Sequence, residues 1–274
     1  MDFQLQGLPV LITGGSRGVG RALAILFGKE GARVAICGRD ETGLATTAEE
    51  VRKHGSECLT IQTDLAIPEE CDRVVRTTAE SFSGLSILVN NASNSVDKTS
   101  ASLEDIDDQQ VLQRVNGKLM AAIRCSRAAI PYLKQARQGR VINIGGTSAR
   151  NTLRGGGLPG SGSAMPQGLG NASLANFSKY LSEELISSGI TVNIVHPHLI
   201  RTERHAGRVR AKALELGVSE AQAEQAIAAA IPLGRLIEVD DVASLVLFLA
   251  SGYAGAITGQ SIVIDGGVSN SICY

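Results

Sequence analysis

Seven short apolar runs, at residues 9–13, 33–38, 58–63, 86–90, 140–144, 191–195 and 261–264, alternate with longer stretches of helical period, and this alternation limits the fold more than any other feature. The runs are rich in Val, Ile and Leu, as strands buried on both faces are. Between them, residues 21–29, 43–53, 69–81, 105–133, 172–186 and 240–250 start on polar residues and carry apolar stripes spaced for a helix. Strand, helix and strand in that order make right-handed crossovers, which put helices on both sides of a parallel sheet. The expected class is therefore α/β: a doubly wound parallel seven-stranded sheet of the Rossmann type, in a single domain covering 1–274. A hydrophobic share of 43% with only 3% aromatic residues suits the aliphatic packing of such a sheet.

Two stretches break the rhythm. Residues 145–170 are rich in Gly, Ser and Pro, with Gly155, Gly156, Gly157, Gly160 and Gly162 close together, and read as an insertion too long for an ordinary connection. Residues 203–231 are polar and Ala-rich with helical period, and follow a strand end directly, where a lid over a ligand would sit.

Charge narrows the choice of partner. Lys plus Arg (26) and Asp plus Glu (27) nearly cancel, so the chain has no broad basic field for nucleic acid or a membrane surface, and a small-molecule substrate is expected. Asp2 follows Met1 where a signal peptide needs basic residues, and no apolar run approaches the roughly 18 residues of a membrane span, which points to the cytoplasm. Cys37, Cys58, Cys71, Cys125 and Cys273 are odd in number, scattered, and never spaced Cys-x-x-Cys, so neither a disulfide framework nor a zinc site is expected, and Cys37 belongs to the core. With His54, His196, His198 and His205 the only histidines, no metal site is expected.

The first run leads straight into Thr13-Gly14-Gly15-Ser16-Arg17-Gly18-Val19-Gly20 and then a helix. Glycines at that place let the backbone turn tightly and approach a pyrophosphate, while the helix N-terminus offers free N–H donors and the positive end of its dipole. A strand, a turn and a helix in the first βαβ unit make the signal strong. In a doubly wound sheet the ligand lies at the carboxyl ends of the strands, which is where this turn falls.

The spacing of Gly14, Gly18 and Gly20 resembles the Thr-Gly-x-x-x-Gly-x-Gly turn of the short-chain dehydrogenase/reductase family, and the chain looks similar to its 3-oxoacyl-acyl-carrier-protein reductases. Further family-like segments follow in order: Asp64-Leu65, Asn90-Asn91-Ala92, Asn116, residues 139–144, residues 190–197, and Thr258-Gly259-Gln260 through Asp265-Gly266-Gly267. The resemblance implies that Gly14, Ser16, Arg17, Gly18, Val19 and Gly20 hold the pyrophosphate. It implies that Asp64 and Leu65 meet the adenine, and that Asn90, Asn91 and Ala92 line the adenosine ribose side. Pro197, Ile200 and Thr202 would grip the nicotinamide carboxamide. Ser93 and His198 stand where the family usually has Gly. The resemblance also implies a homo-oligomer, a tetramer or dimer.

NAD users of this kind commonly carry an acid at the position of Gly38, and none is there. Arg39 follows directly and Arg17 sits in the phosphate turn, so two guanidinium groups are placed to clasp a 2′-phosphate, which favours NADP(H). The alternative gives Asp40 to the ribose hydroxyls of NAD. Asp40 has an equally good role at the start of the next helix, where an acid complements the dipole.

In the family a Ser, a Tyr and a Lys four residues after it pass a proton to the substrate oxygen, with an Asn holding a water in the relay. Here Asn116 is present, but Gly146, Gln167 and Asn171 occupy the usual Ser, Tyr and Lys positions. Asn116, Ser148 and His198 are the candidate catalytic residues; Ser161 and Ser163 have hydroxyls but no evident activating partner, and Lys179 and Tyr180 lie two turns too far along. The first reading is an NADP(H)-dependent oxidoreductase acting on a carbonyl or alcohol through a non-standard site. A catalytically silent NADP(H)-binding sensor or partner subunit is the second, and a non-redox enzyme on the same fold the third.

Overall fold

The computed structural model describes residues 2–93, 104, 106–151, 165–203 and 205–269. Seven strands form one parallel sheet in the order β3-β2-β1-β4-β5-β6-β9: β1 Pro9–Thr13, β2 Arg33–Gly38, β3 Cys58–Gln62, β4 Ile87–Asn90, β5 Arg140–Ile144, β6 Thr191–Pro197 and β9 Ser261–Ile264. The expected seven-stranded doubly wound sheet is what forms, and four of the seven strands have the expected bounds to the residue. The chain reverses direction across the sheet between β1 and β4, opening a crevice at their carboxyl ends.

Alternation along each strand divides the core in two. Val10, Ile12, Val34 and Ile36 face helices α1 Gly18–Lys29, α2 Glu41–Arg52 and α9 Val239–Ala250, with Leu23, Phe27, Leu44, Val51 and Val246 between them. Leu11, Ala35 and Leu88 face the other way, toward α3 Pro68–Phe82, α5 Ala121–Gln135 and α6 Met165–Leu185, with Val74, Phe82, Leu133 and Leu181. Cys37 lies in this second core, and burial pushes its thiol up to about 12. Cys273 lies outside the described residues, and among those described no helix is long and apolar enough to cross a membrane and no His, Cys, Asp or Glu cluster could hold a metal.

Two expectations need correction. The helix expected over 105–133 is not regular: α4 Asp108–Arg114 is joined to α5 by a π-helical turn, Val115–Met120. The helix expected to start at Ala172 starts at Met165, so the end of the supposed 145–170 insertion is helix. Its glycines misled the reading, since Gly168 is there for packing: a Cβ on it would lie 3.0 Å from the Ser148 carbonyl oxygen. Residues 152–164, with the cluster from Gly155 to Gly162 and with Ser161 and Ser163, lie outside the described residues. The segment 203–231 is helical as expected, forming α7 His205–Leu216 and α8 Glu220–Ala229, the latter opened by a capping box in which Ser219 and Gln222 satisfy each other's backbone N–H. A small extra pair, β7 Ile200–Arg201 against β8 Ile237–Glu238, was not anticipated.

Candidate active site

A cavity of about 530 Å³ opens at the carboxyl ends of β1, β4, β5 and β6. Its floor is the turn after β1. Gly14 sits in the left-handed region at φ +73°, with the Ala92 Cα 3.0 Å from where a Cβ would be, and Gly18 is left-handed at φ +55°. Asn91 fastens the turn by donating through Nδ2 to the carbonyls of Thr13 (2.9 Å) and Gly14 (3.1 Å). Arg17 caps α1 without a side-chain hydrogen bond, so no cap side chain fills the N-terminus of that helix. The carboxylate of Glu203 approaches it instead, accepting from the Gly18 N–H at 3.4 Å.

One end of the cavity is built by the ends of β2 and β3. Arg39, Asp64 and Leu65 line it, as does Asp40, whose Oδ1 accepts from the Gly43 N–H at 3.0 Å and so caps α2. Ser16, Arg17, Gly18, Val19, Asn91, Ala92, Pro197, Ile200 and Thr202 also line the cavity, so the structure brings together nearly every residue expected there. Gly20 and Asn90 do not line it. Gly20 is pressed against the Gly14 carbonyl, and Asn90 is turned into the interior, donating to Asn143 Oδ1 at 2.8 Å and Ser126 Oγ at 3.1 Å.

The other end is built by β5, β6, α6 and the π-helical turn. Gly146, Gln167 and His198 line it, which puts two of the three substituted positions and one candidate on a common wall. Asn171 is buried behind them, its Nδ2 donating to Ser148 Oγ at 2.8 Å and its Oδ1 left without a partner among the described residues. Asn116 is directed elsewhere: it donates to the Ala66 carbonyl at 3.2 Å and accepts from Arg124 at 2.9 Å, tying the helix to the loop after β3. Ser148 and Asn116 therefore do not line the cavity, nor do Lys179, which pairs with Glu183 at 3.4 Å, and Tyr180, which is 69% exposed.

Two basic groups at this end have displaced pKa values. Burial holds His198 below the usual imidazole range, against the opposing pull of Asp265, while its Nδ1 lies 2.9 Å from Thr147 Oγ1. Lys118, which sequence reasoning passed over, lines the cavity and directs Nζ at the Gly145 carbonyl, 3.4 Å away. Burial, helped by the nearby Arg114 charge, brings its ammonium down to about 8. The only signal for it in the sequence was a Lys two residues after Asn116, on a helix whose local pitch the sequence does not reveal.

A family model described as enoyl-(acyl carrier protein) reductase matches residues 14–269. The 3-oxoacyl-(acyl-carrier-protein) reductase of Escherichia coli is 31% identical over 268 residues, 98% of this chain and 99% of its own length. The chain belongs to the short-chain dehydrogenase/reductase family. Among solved members of that family, L-sorbose reductase from Gluconobacter frateurii, determined with NADPH and L-sorbose, matches this short-chain dehydrogenase/reductase with a TM-score of 0.89 at 28% identity, over 99% of this chain and 100% of that one. A variant of actinorhodin polyketide ketoreductase, determined with NADPH, gives a TM-score of 0.84 at 30% identity over 96% and 97% of the two chains.

Proposed function

We propose that this short-chain dehydrogenase/reductase is an NADP(H)-dependent oxidoreductase that acts on a carbonyl or alcohol without the family's usual Tyr and Lys. The observation that carries the reading is the donor set at the end of β2: Gly38 offers no acid, Asp40 is engaged at the N-terminus of α2, and Arg39 and Arg17 line the same cavity. The rest of the cavity is suited to a dinucleotide. The turn is bare of side chains at Gly14 and Gly18, and the N-terminus of α1 points N–H groups where a pyrophosphate needs them. Asp64 and Leu65 hold the adenine end, and Pro197, Ile200 and Thr202 orient the nicotinamide end. When bound, the reduced nicotinamide supplies hydride to the substrate carbon. His198, held by Thr147, shapes the substrate end. Two NADP(H)-bound relatives of the same fold support the cofactor.

Calorimetry tests this directly, since the chain has no Trp to report binding. The expected result is micromolar NADPH binding with much weaker NADH binding. Replacing Arg39 with Ser should weaken NADPH about tenfold and leave NADH nearly unchanged, as a solvent-exposed charge-assisted contact to phosphate is worth about 1.5 kcal/mol. Binding of neither nucleotide by the unaltered protein sinks the reading. The locking of Ser148 to Asn171 favours one other reading, a silent NADP(H)-binding protein, and NADPH binding with no turnover of any ketone would select it.

Glu203 gives a second test. Its carboxylate lies where the phosphates belong, so the cofactor must displace it from the Gly18 N–H. A charge at a helix N-terminus is worth about 0.3–1 kcal/mol. Glu203→Gln should therefore tighten NADPH two- to five-fold at low salt, with the difference shrinking at high ionic strength. Equal affinities at every salt concentration would show that the carboxylate does not compete.

A further inference from the structure

We propose that Lys118 is the proton donor of this active site, serving the substrate carbonyl oxygen from the cavity wall it shares with Gly145, Gly146, Gln167 and His198. The proposal rests on the reductase reading above and names the group that reading lacks. Hydride addition to a ketone leaves an alkoxide, and without a donor the step loses about 10²- to 10⁴-fold in rate. The amides at the substituted positions, Gln167 and Asn171, release no proton at neutral pH. Ser148 is a very weak acid set behind the wall and already accepts a hydrogen bond from Asn171. His198, held below its usual range by burial, is mostly neutral at pH 7.

Lys118 differs from all of these. The π-helical turn Val115–Met120 carries buried Gly117 and half-buried Lys118 on the cavity wall, while Asn116 beside them is directed at Ala66. Such turns often occur where a side chain has been re-aimed for function. Among the described residues the Lys118 Nζ makes one long hydrogen bond, to the Gly145 carbonyl beside the usual Ser position, and no carboxylate pairs with it. An ammonium in that setting keeps N–H groups for a substrate oxygen. With its pKa at about 8, the charged form still dominates at pH 7 by roughly ten to one, yet it is a far stronger acid than an ordinary lysine.

The step balances. The substrate carbonyl carbon gains a C–H bond with the two electrons of the hydride, the C=O π bond breaks, and its electron pair stays on oxygen. That oxygen takes one proton from Lys118 Nζ, an O–H bond replacing an N–H bond. The neutral amine then regains a proton from water, and the reductant is the reduced dinucleotide already assigned to the cavity.

Lys118→Met and Lys118→Arg separate the roles of this side chain; the Arg variant keeps the charge but cannot release its proton. Both should bind NADPH within about threefold of the unaltered protein by calorimetry. Both should lose at least 100-fold in kcat, with KM little changed, over a panel of aliphatic ketones, aromatic ketones and vicinal diketones, the diketones losing least. The kcat of the unaltered protein should fall as pH rises through 8, and neither variant should show that fall. A readout without turnover is the pH dependence of Lys118 acylation, followed by peptide mass spectrometry, which should reach half its maximum near pH 8. An ordinary lysine midpoint near 10.5, full activity in Lys118→Arg, or NADPH binding without reduction of any ketone overturns the proposal. Full activity in a variant sinks the role of Lys118 alone, whereas failure of the unaltered protein to bind NADPH sinks the reductase reading and this proposal together.

Discussion

Gly20→Ala is expected to unfold several degrees earlier than the unaltered protein and to bind NADPH at least tenfold more weakly, although the substitution is a good one for an isolated helix. A Cβ at Gly20 would lie 2.1 Å from the Gly14 carbonyl oxygen and 2.6 Å from Asn91 Nδ2. Both neighbours belong to the hydrogen bond that fastens the turn, so neither can step aside without loosening it. Helix propensity gives back about 1 kcal/mol. Overpacking against backbone costs about 1–3 kcal/mol and occasionally more. A clash more than an ångström inside contact distance belongs at the upper end, for a net loss of about 2 kcal/mol, or roughly 4–8 °C in Tm. The same substitution at Gly207, exposed in α7 with no atom of the described residues within 4 Å of its Cβ position, should stabilise by about 0.5–1 kcal/mol. Thermal unfolding with and without NADPH reads both effects. A Gly20→Ala protein as stable and as NADPH-responsive as Gly207→Ala would show that the turn yields freely.

Gly20 also shows how a sequence reading can find the right residue for the wrong contact. The pattern Gly14, Gly18, Gly20 after an apolar run announced the turn, because glycine is required where backbone approaches closely, and that requirement is written in residue identity. What each glycine approaches is not written there. Gly14 and Gly18 face the cavity, whereas Gly20 faces Gly14 itself. The strands were legible for a similar reason: burial on both faces demands continuous aliphatic runs, and β1, β2, β5 and β9 stop where those runs stop. The start of α6 was hidden because Gly168 and Gly170 look like loop residues until the chain that packs on them is known. Lys118 was hidden because its direction depends on a π-helical turn, a difference of one backbone hydrogen-bond register that leaves no mark in composition. Asn116 matched its motif and yet serves the loop after β3, since the type of an amide side chain does not say which carbonyl it will meet.

Acid should weaken this fold through His196, which is fully buried in β6. Its Nδ1 meets the backbone of Gly146 (3.2 Å from the N–H, 3.0 Å from the carbonyl oxygen) and its Nε2 lies 2.9 Å from Ser261 Oγ, so it ties β5's end to β9. Gly145 is glycine because a Cβ there would lie 2.5 Å from that ring nitrogen. Burial, reinforced by the charges of Arg150 and Lys118, lowers the imidazole from 6.5 to about 4. Between those two values the unfolded chain binds a proton that the folded chain does not, so stability rises with pH across the window. The full contribution is present above pH 6.5, declines as pH falls, and is gone below pH 4; the displacement of about 2.5 units corresponds to about 3 kcal/mol. Urea unfolding at several values between pH 7 and pH 4.5 should show this slope in the unaltered protein. His196→Asn should be less stable at pH 7 yet clearly flatter across the same window, because an amide does not titrate. Parallel slopes for the two proteins would mean that folding leaves the His196 pKa where it is in the unfolded chain.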